Sequence, residues 1–459
     1  MLRALPRAAG LEFEELERTT AGALSASDRP LKELGHLALW ANLGAGLYLM
    51  IVGASMVPAL SIAQAALATL LGAALGAALV AITVRLASAE NRSGVLLCGE
   101  ALGERGAGLY GALALFRHLA WGAIQLAIAA QMAAAVAGRQ GLGGGQPLWA
   151  VLFGALVLYM VLAGPVGMTR AWLVRVGGPL VALIAVGFAL SAWSDYGIPA
   201  FLQREPATGW PTMTAAVDIA AALALIWLPV AADLGRLGGP RRSGMAAFLG
   251  LGVMTAWFVL LGVLFVPAVS GEDLPGFLLA TPLGALAILV VLVLELDGAF
   301  VSLYALATTA RGLSARVEAT PVVLAGAGLF VLGGALLDPF DYGDTMLLLG
   351  AAFAPLLGVL LGIRAARRLS DGARLPLGGL LAWALGFMLY NWAAPLAVPA
   401  WSAAMSAVLH DFLRLPFPAG VPGLSATLLA FVASFVLAGV GALAGGAVAR
   451  SRPAEASAA

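Results

Sequence analysis

Twelve stretches of this chain are each apolar enough and long enough to cross a bilayer, and that pattern removes almost every soluble fold from consideration. A hydrocarbon core about 30 Å thick takes about 20 apolar residues per helix. The stretches lie at 37–60, 63–86, 109–137, 148–168, 172–193, 213–233, 245–268, 276–309, 320–337, 345–363, 376–398 and 423–449. The chain is 61% hydrophobic and 11% charged, whereas a soluble domain is nearer about 25% charged. Lipid must cover part of so much apolar surface. The expected fold class is therefore all-α integral membrane with twelve transmembrane helices. Residues 34–449 form the membrane domain, between a tail at 1–33 and another at 450–459.

The basic residues give the orientation, because cytoplasmic segments carry an excess of Lys and Arg. With the amino terminus inside, 21 of the 25 basic residues fall on inside segments. Only Arg139, Arg204 and Arg414 fall outside, and Arg117 lies within a span. That sorting supports a multi-pass protein of the cell (inner) membrane with both termini cytoplasmic. The first 36 residues lack a signal-peptide pattern, so the first span is expected to remain as an anchor. The net charge is +1 and no basic stripe tracks a phosphate backbone, so no nucleic-acid partner is expected. Cys98 is the only cysteine; it can form no intrachain disulfide and argues against a cysteine metal site.

Outside loops at 194–212 and 399–422 are the longest and carry Trp210, Pro211, Trp401, Phe412 and Phe417. Such residues suit short helices at the headgroup level. The inside loop 87–108 reads as a short amphipathic segment or as a solvated linker. Residues 1–30 and 450–459 read as disordered tails. Among 58 glycines, many serve close helix packing. Two spans are interrupted more pointedly. The first holds Leu43-Gly44-Ala45-Gly46-Leu47, Gly53 and Pro58, and the sixth holds Ile226-Trp227-Leu228-Pro229. These are either packing glycines with a kink proline, or matching breaks in two inverted repeats covering spans 1–5 and 6–10.

Charge inside a span is costly and usually functional. Span 8 holds Glu295 and Asp297, which point roughly 200° apart on a helix and cannot share one site. Span 3 holds Arg117 and His118 at comparable depth. Arg117 either snorkels to the interface or forms an ion pair with Glu295 or Asp297. His118 is either a packing histidine or a proton relay. One turn further on, Trp121 and Gln125 share a face. An indole beside an amide suits a flat polar heterocycle, stacked by one and hydrogen-bonded by the other.

Several of these stretches together resemble the cytosine/purine permease family, the nucleobase–cation symporters. They are Leu39-Trp40 before the glycine-rich first span, Trp121-Gly122-Ala123-Ile124-Gln125, and the end of span 6, Ile226-Trp227-Leu228-Pro229-Val230-Ala231-Ala232-Asp233-Leu234-Gly235-Arg236. The Trp-Leu-Pro core, with Phe300 and Tyr304, is most similar to the branch associated with hydroxymethylpyrimidine. The similarity runs over about residues 30–450 and is strongest in spans 1, 3, 6 and 8. The resemblance implies a leucine-transporter-like fold, a 5+5 inverted repeat plus two helices. It implies substrate bound between spans 1, 3, 6, 8 and 10, stacked on Trp121 and bonded to Gln125. The family often has Asn, Thr or Ser in mid-span 8, but here no hydroxyl precedes Ser302, so proton coupling through a carboxylate fits better than sodium.

The function expected is secondary active import of a nucleobase or related pyrimidine, such as cytosine or hydroxymethylpyrimidine, by symport with H+ or Na+. No resident cofactor or metal is expected, and the chain is not expected to be an enzyme: His36, His118 and His410 are far apart. The substrate site would comprise Trp121, Gln125, Trp227, Asp297 and Gly46. Coupling or an ion pair would involve Glu295, Asp297, Arg117 and Ser302. Asp233 and Arg236 would form a gate or structural pair. Partners would be the small heterocycle, the coupling cation and the bilayer. An amino-acid or amine transporter on the same fold is the alternative. A channel would show repeated short motifs, and no phosphate-cradling glycine loop points to ATP.

Overall fold

The computed structural model describes residues 13–20, 24–25, 29, 31–57, 59–164, 167, 175–195, 209–264, 284–338, 343–369, 376–394, 398–416 and 425–451. Sixteen α-helices account for nearly all of them. They are α1 Phe13–Thr19, α2 Glu33–Leu43, α3 Leu47–Ser55, α4 Ile62–Glu90, α5 Gly94–Arg139, α6 Gln146–Leu162, α7 Gly178–Asp195 and α8 Met213–Leu225. They continue as α9 Leu228–Gly235, α10 Ser243–Leu264, α11 Gly284–Leu313, α12 Ala319–Leu336, α13 Gly343–Leu369, α14 Pro376–Ala393, α15 Pro399–Ser406 and α16 Ala426–Ser451. Helical residues occur in each of the twelve apolar stretches. By length and apolarity alone, seven of the described helical segments can cross a membrane, α8 and α9 counted as one, or eight if the bent pair α2–α3 is also one span.

Local sequence explains where these helices start, stop and break. Ser61 and Gln64 form a reciprocal capping box that starts α4, meeting two N–H groups that the first turn leaves without partners. Asn91 ends α4 in the left-handed conformation at φ 55°. Within α5, Gly103 takes φ 73° and bends the helix, so the amphipathic stretch 94–102 precedes the apolar run. The first span breaks at Gly44–Gly46, where α2 and α3 meet at 54°. The sixth breaks at Ile226–Trp227, and Pro229 sits in the first turn of α9, where its missing N–H costs nothing. After α14, the helix Pro399–Ser406 runs into a π-helical turn at Ala407–Phe412, leaving Phe412 exposed. Phe417 lies outside the described residues.

Two packing groups emerge. α10 packs on α2, α3 and α4, and α4 packs on α8 and α9; α5 packs on α6, α11 and α12. Small residues make the first group tight. A Cβ on Gly262 of α10 would fall onto the Met50 backbone, and one on Gly53 of α3 would fall onto the Val259 carbonyl. Leu67, Leu70 and Leu71 of α4 and Leu324, Leu329 and Leu332 of α12 point outward and are half exposed, as a lipid-facing surface requires.

Within 1–30, the described residues 13–20, 24–25 and 29 correct the expectation of a disordered tail. Residues Phe13–Thr19 are helical, and Leu16, Thr19 and Thr20 are fully buried. The Glu17 carboxylate accepts from the Ala319 and Thr320 N–H groups at 3.1 and 3.0 Å, capping α12, and pairs with Arg311 at 2.9 Å. The Thr19 carbonyl accepts from Arg236 Nη2 at 2.7 Å and from the Tyr304 hydroxyl at 2.9 Å. The Asn91 side chain holds the Leu24 backbone through both its N–H and its C=O. Arg29 donates to the carbonyls of Arg236, Gly238 and Ser88. The described residues of this segment therefore form a strap that touches both packing groups.

The α3–α10 contact has a direct test. Replacing Gly262 with Leu would overpack the interface and cost about 1–3 kcal/mol or more. Gly138, which has nothing within 4 Å of an added Cβ, should accept Ala at no cost. Thermal unfolding of the detergent-solubilised chain checks this; equal midpoints for the two variants would contradict the packing described.

Candidate functional site

Between the two helix breaks lies a small cavity. Leu43, Ala45, Gly46, Tyr48 and Leu49 line it from the first break, and Leu223, Ile226 and Trp227 from the second. Trp121 and Gln125 of α5 and Glu295 of α11 complete the wall. Breaking a helix frees backbone groups that hydrocarbon cannot satisfy, so such breaks survive only inside protein.

Three aromatic rings shape the cavity. Trp121 meets Trp227 edge-to-face at 6.0 Å between centroids, and Tyr48 meets Trp121 likewise at 6.1 Å. Against these indoles lies Arg117. Its guanidinium is 4.7 Å from the Trp227 ring centroid and 5.8 Å from that of Trp121, within reach of the ring quadrupoles. The ion pair expected from Arg117 to Glu295 or Asp297 is not formed. Arg117 is fully buried and takes the faces of two indoles in place of a carboxylate. The snorkelling alternative is excluded by the same burial. Nη1 approaches His118 Nδ1 at 3.5 Å, and His118 Nε2 meets the Thr309 hydroxyl at 3.2 Å. Both imidazole nitrogens thus face a partner inside the protein.

The two acids of α11 go separate ways, as their roughly 200° separation requires. Glu295 lines the cavity; its carboxylate accepts from the Leu47 backbone N–H and from the Gln125 side chain. It therefore meets one of the N–H groups that the first turn of α3 leaves over, at the positive end of that helix. Asp297 is buried away from the cavity, near Asn42 at the end of α2 and near Gly177, whose Cβ would lie 3.3 Å from both side chains. Of the five residues expected at the substrate site, Trp121, Gln125, Trp227 and Gly46 come together and Asp297 does not. Ser302 is fully buried and also lies off the cavity.

Asp233 and Arg236 sit at the end of α9. Asp233 accepts from the Gly94 N–H at 3.1 Å, at the start of α5, and attracts Arg236 electrostatically. Arg236 is fully buried and reaches the strap through Thr19. This is a tie between helices, remote from the cavity lining. The site residue that sequence reading missed is Tyr48; its only signal was its place one residue beyond the break at Gly46-Leu47. Thr345 and Met346 of span 10 have side chains outside the described set.

The arrangement defines an all-helical, multi-pass membrane protein with a cavity enclosed between two broken helices. No family model and no curated protein matches the chain. Solved structures do. One is Mhp1, a nucleobase-cation-symport-1 family transporter, in a closed conformation with bromovinylhydantoin bound. It aligns at TM-score 0.70 and 17% identity over 95% of this chain and 96% of that one. The inward-facing conformation of Mhp1 aligns at TM-score 0.63 and 17% identity over 94% and 95%. At this identity the likeness establishes a shared fold.

Removing the Glu295 carboxylate should expose its structural share. Glu295→Ala leaves the Leu47 N–H without its acceptor and should cost about 1–3 kcal/mol. Glu295→Gln keeps an acceptor and should cost less. Thermal unfolding of the two variants decides it; an Ala variant as stable as the Gln variant would contradict the contact.

Proposed function

We propose that the chain is a secondary active transporter of the nucleobase–cation symporter kind, importing a small nitrogenous ring across the cell membrane by alternating access. The observation that carries this reading is a pair of buried, unpartnered polar atoms on the cavity residues. Trp121 Nε1 has an N–H to donate and Gln125 Oε1 can accept, and neither has a partner among the described residues. Buried polar groups are normally satisfied. A ring with a C=O beside an N–H, the edge shared by cytosine, uracil and hydantoins, supplies one acceptor and one donor. Trp121 would stack on one face, with Trp227, set at right angles to it, as a second wall. The solved neighbour described as binding bromovinylhydantoin is consistent with such a ring.

The topology that suits this function is twelve helices, a leucine-transporter-like 5+5 repeat plus two, with both termini cytoplasmic. The breaks in the first and sixth spans support it, because on this reading they would fall at matching places in two five-helix halves. Rocking of spans 1, 2, 6 and 7 against 3, 4, 8 and 9 would alternate access. The α10 and α4 group and the α5, α11 and α12 group correspond to these bodies. The coupling ion is a proton carried by Glu295, the only carboxylate lining the cavity among the described residues. Sodium would instead need oxygen ligands such as those of Asp297 and Asn42. Trp-Leu-Pro at the sixth break keeps hydroxymethylpyrimidine among the candidate substrates. An amine or amino-acid carrier remains the rival, but it has no use for an indole and an amide set for a cyclic amide.

Vesicle uptake of labelled cytosine, uracil, hydantoin and hydroxymethylpyrimidine, with sodium and pH gradients imposed separately, tests the reading. At least one ring should accumulate under an inward proton gradient. Trp121→Ala and Gln125→Ala should each weaken apparent affinity about tenfold or more, the worth of one lost buried contact. Glu295→Gln should leave uptake indifferent to the pH gradient. Uptake driven only by sodium would move the coupling site to Asp297, and unchanged uptake in both α5 variants would remove the site.

A further inference from the structure

Arg117, packed behind the cavity's indoles, has a chemistry that the proposed cycle does not use. Its side chain is fully buried. Its Nε and Nη2 have no hydrogen-bond partner, and among the described residues it forms no ion pair. A guanidinium stays charged under all ordinary conditions. Taking it out of water without a counter-ion is costly. Contact with two indole faces offsets only part of that cost. The Glu295 carboxylate of the cavity wall is engaged instead with the Leu47 N–H and Gln125. A positive charge without an anion is thus built behind two walls of the substrate cavity.

We propose that Arg117 sets the charge of the substrate, so that the ring carried by this protein bears an acidic or anionic group. The proposal rests on the transporter reading and narrows it. A ring lodged against either indole lies roughly 8–10 Å from the guanidinium, one stacking distance beyond the 4.7 and 5.8 Å to the ring centroids. At an effective dielectric constant of about 20, a full negative charge there is favoured roughly 20-fold over a neutral group, and a positive one is disfavoured by the same factor. When a proton on Glu295 accompanies the substrate, Arg117 is the uncompensated charge of the loaded site, and an anion with a proton enters as a neutral pair. Acidic rings, those with an N–H between two carbonyls or with a carboxylate, then outcompete amines and basic aminopyrimidines. The carboxylate would act on Arg117 through the field across the indoles, with no direct contact required.

The test uses pairs that differ in charge and hardly in shape. Equilibrium binding to the purified full-length chain is measured for orotate against orotamide, and for hydantoin-5-acetate against hydantoin-5-acetamide, with uracil and hydantoin as neutral references. The wild type should prefer the carboxylate of at least one pair by roughly 20-fold. Arg117→Lys should retain the preference, and Arg117→Gln should reduce it to within about threefold. If Arg117→Gln fails to fold, the wild-type ratio and its persistence in Arg117→Lys carry the same information. Should the neutral rings bind while neither carboxylate is preferred, or should the preference survive Arg117→Gln, the charge proposal is overturned and the transporter reading stands. If none of the six compounds binds, the reading of the cavity falls and this proposal goes with it.

Discussion

Hydrocarbon offers nothing to a broken backbone, and this constraint organises the molecule. At the end of α2 and the start of α3, carbonyl and N–H groups are released at bilayer depth. The protein answers with a carboxylate from another helix: Glu295 of α11 accepts from the Leu47 N–H. That one contact fixes α11 against the first break and puts an acid into the cavity wall. It also binds Gln125 of α5 to the same point. The structural solution to the break and the chemical equipment of the cavity are therefore the same few atoms. Gly44 lets α10 come close to the same break, since a Cβ there would lie 2.7 Å from the Leu251 carbonyl. Gly46 matters differently: its backbone is extended, and an added Cβ would meet Glu295 only at ordinary contact distance, 3.6 Å.

Much of the site was legible because helical periodicity fixes azimuth. Trp121 and Gln125, four apart, had to share a face, and both line the cavity. Glu295 and Asp297, two apart, had to part, and they do. The glycines and Pro229 marked where helices break. What periodicity cannot give is the partner across a gap. Arg117 lies at a depth that matched two carboxylates, yet aromatic faces and carboxylates both stabilise a guanidinium, and the sequence does not say which face α11 turns toward it. The strap was hidden for another reason. Leu16, Leu24 and Leu31 are isolated among polar residues, so they show no period. Most of their neighbours' partners are backbone carbonyls (Thr19, Arg236, Gly238, Leu237), which leave no trace in residue type.

On the transporter reading, two closures stand in series on the side rich in Arg. The inner one is the contact of Arg117 on α5 with Trp227 at the break between α8 and α9. It crosses between the packing groups and is a cation–π contact, worth about 0.5–2 kcal/mol. The outer one is the strap. Through Asn91, Ser88 and Gly238 it holds the α4 and α10 group, and through Tyr304, Arg311 and the start of α12 it holds the other. Several of its hydrogen bonds involve a charged partner, each worth about 1.5–3 kcal/mol. The two closures differ in kind as well as size. A ring entering the cavity touches Trp227 and can move the inner closure directly, but it touches no residue of the strap. Release of the outer closure must therefore follow from relative motion of the helices themselves, transmitted through the Arg236–Thr19 and Tyr304–Thr19 bonds. On that reading the cavity decides what is bound, while the helix Phe13–Thr19 bears on when the Arg-rich side opens.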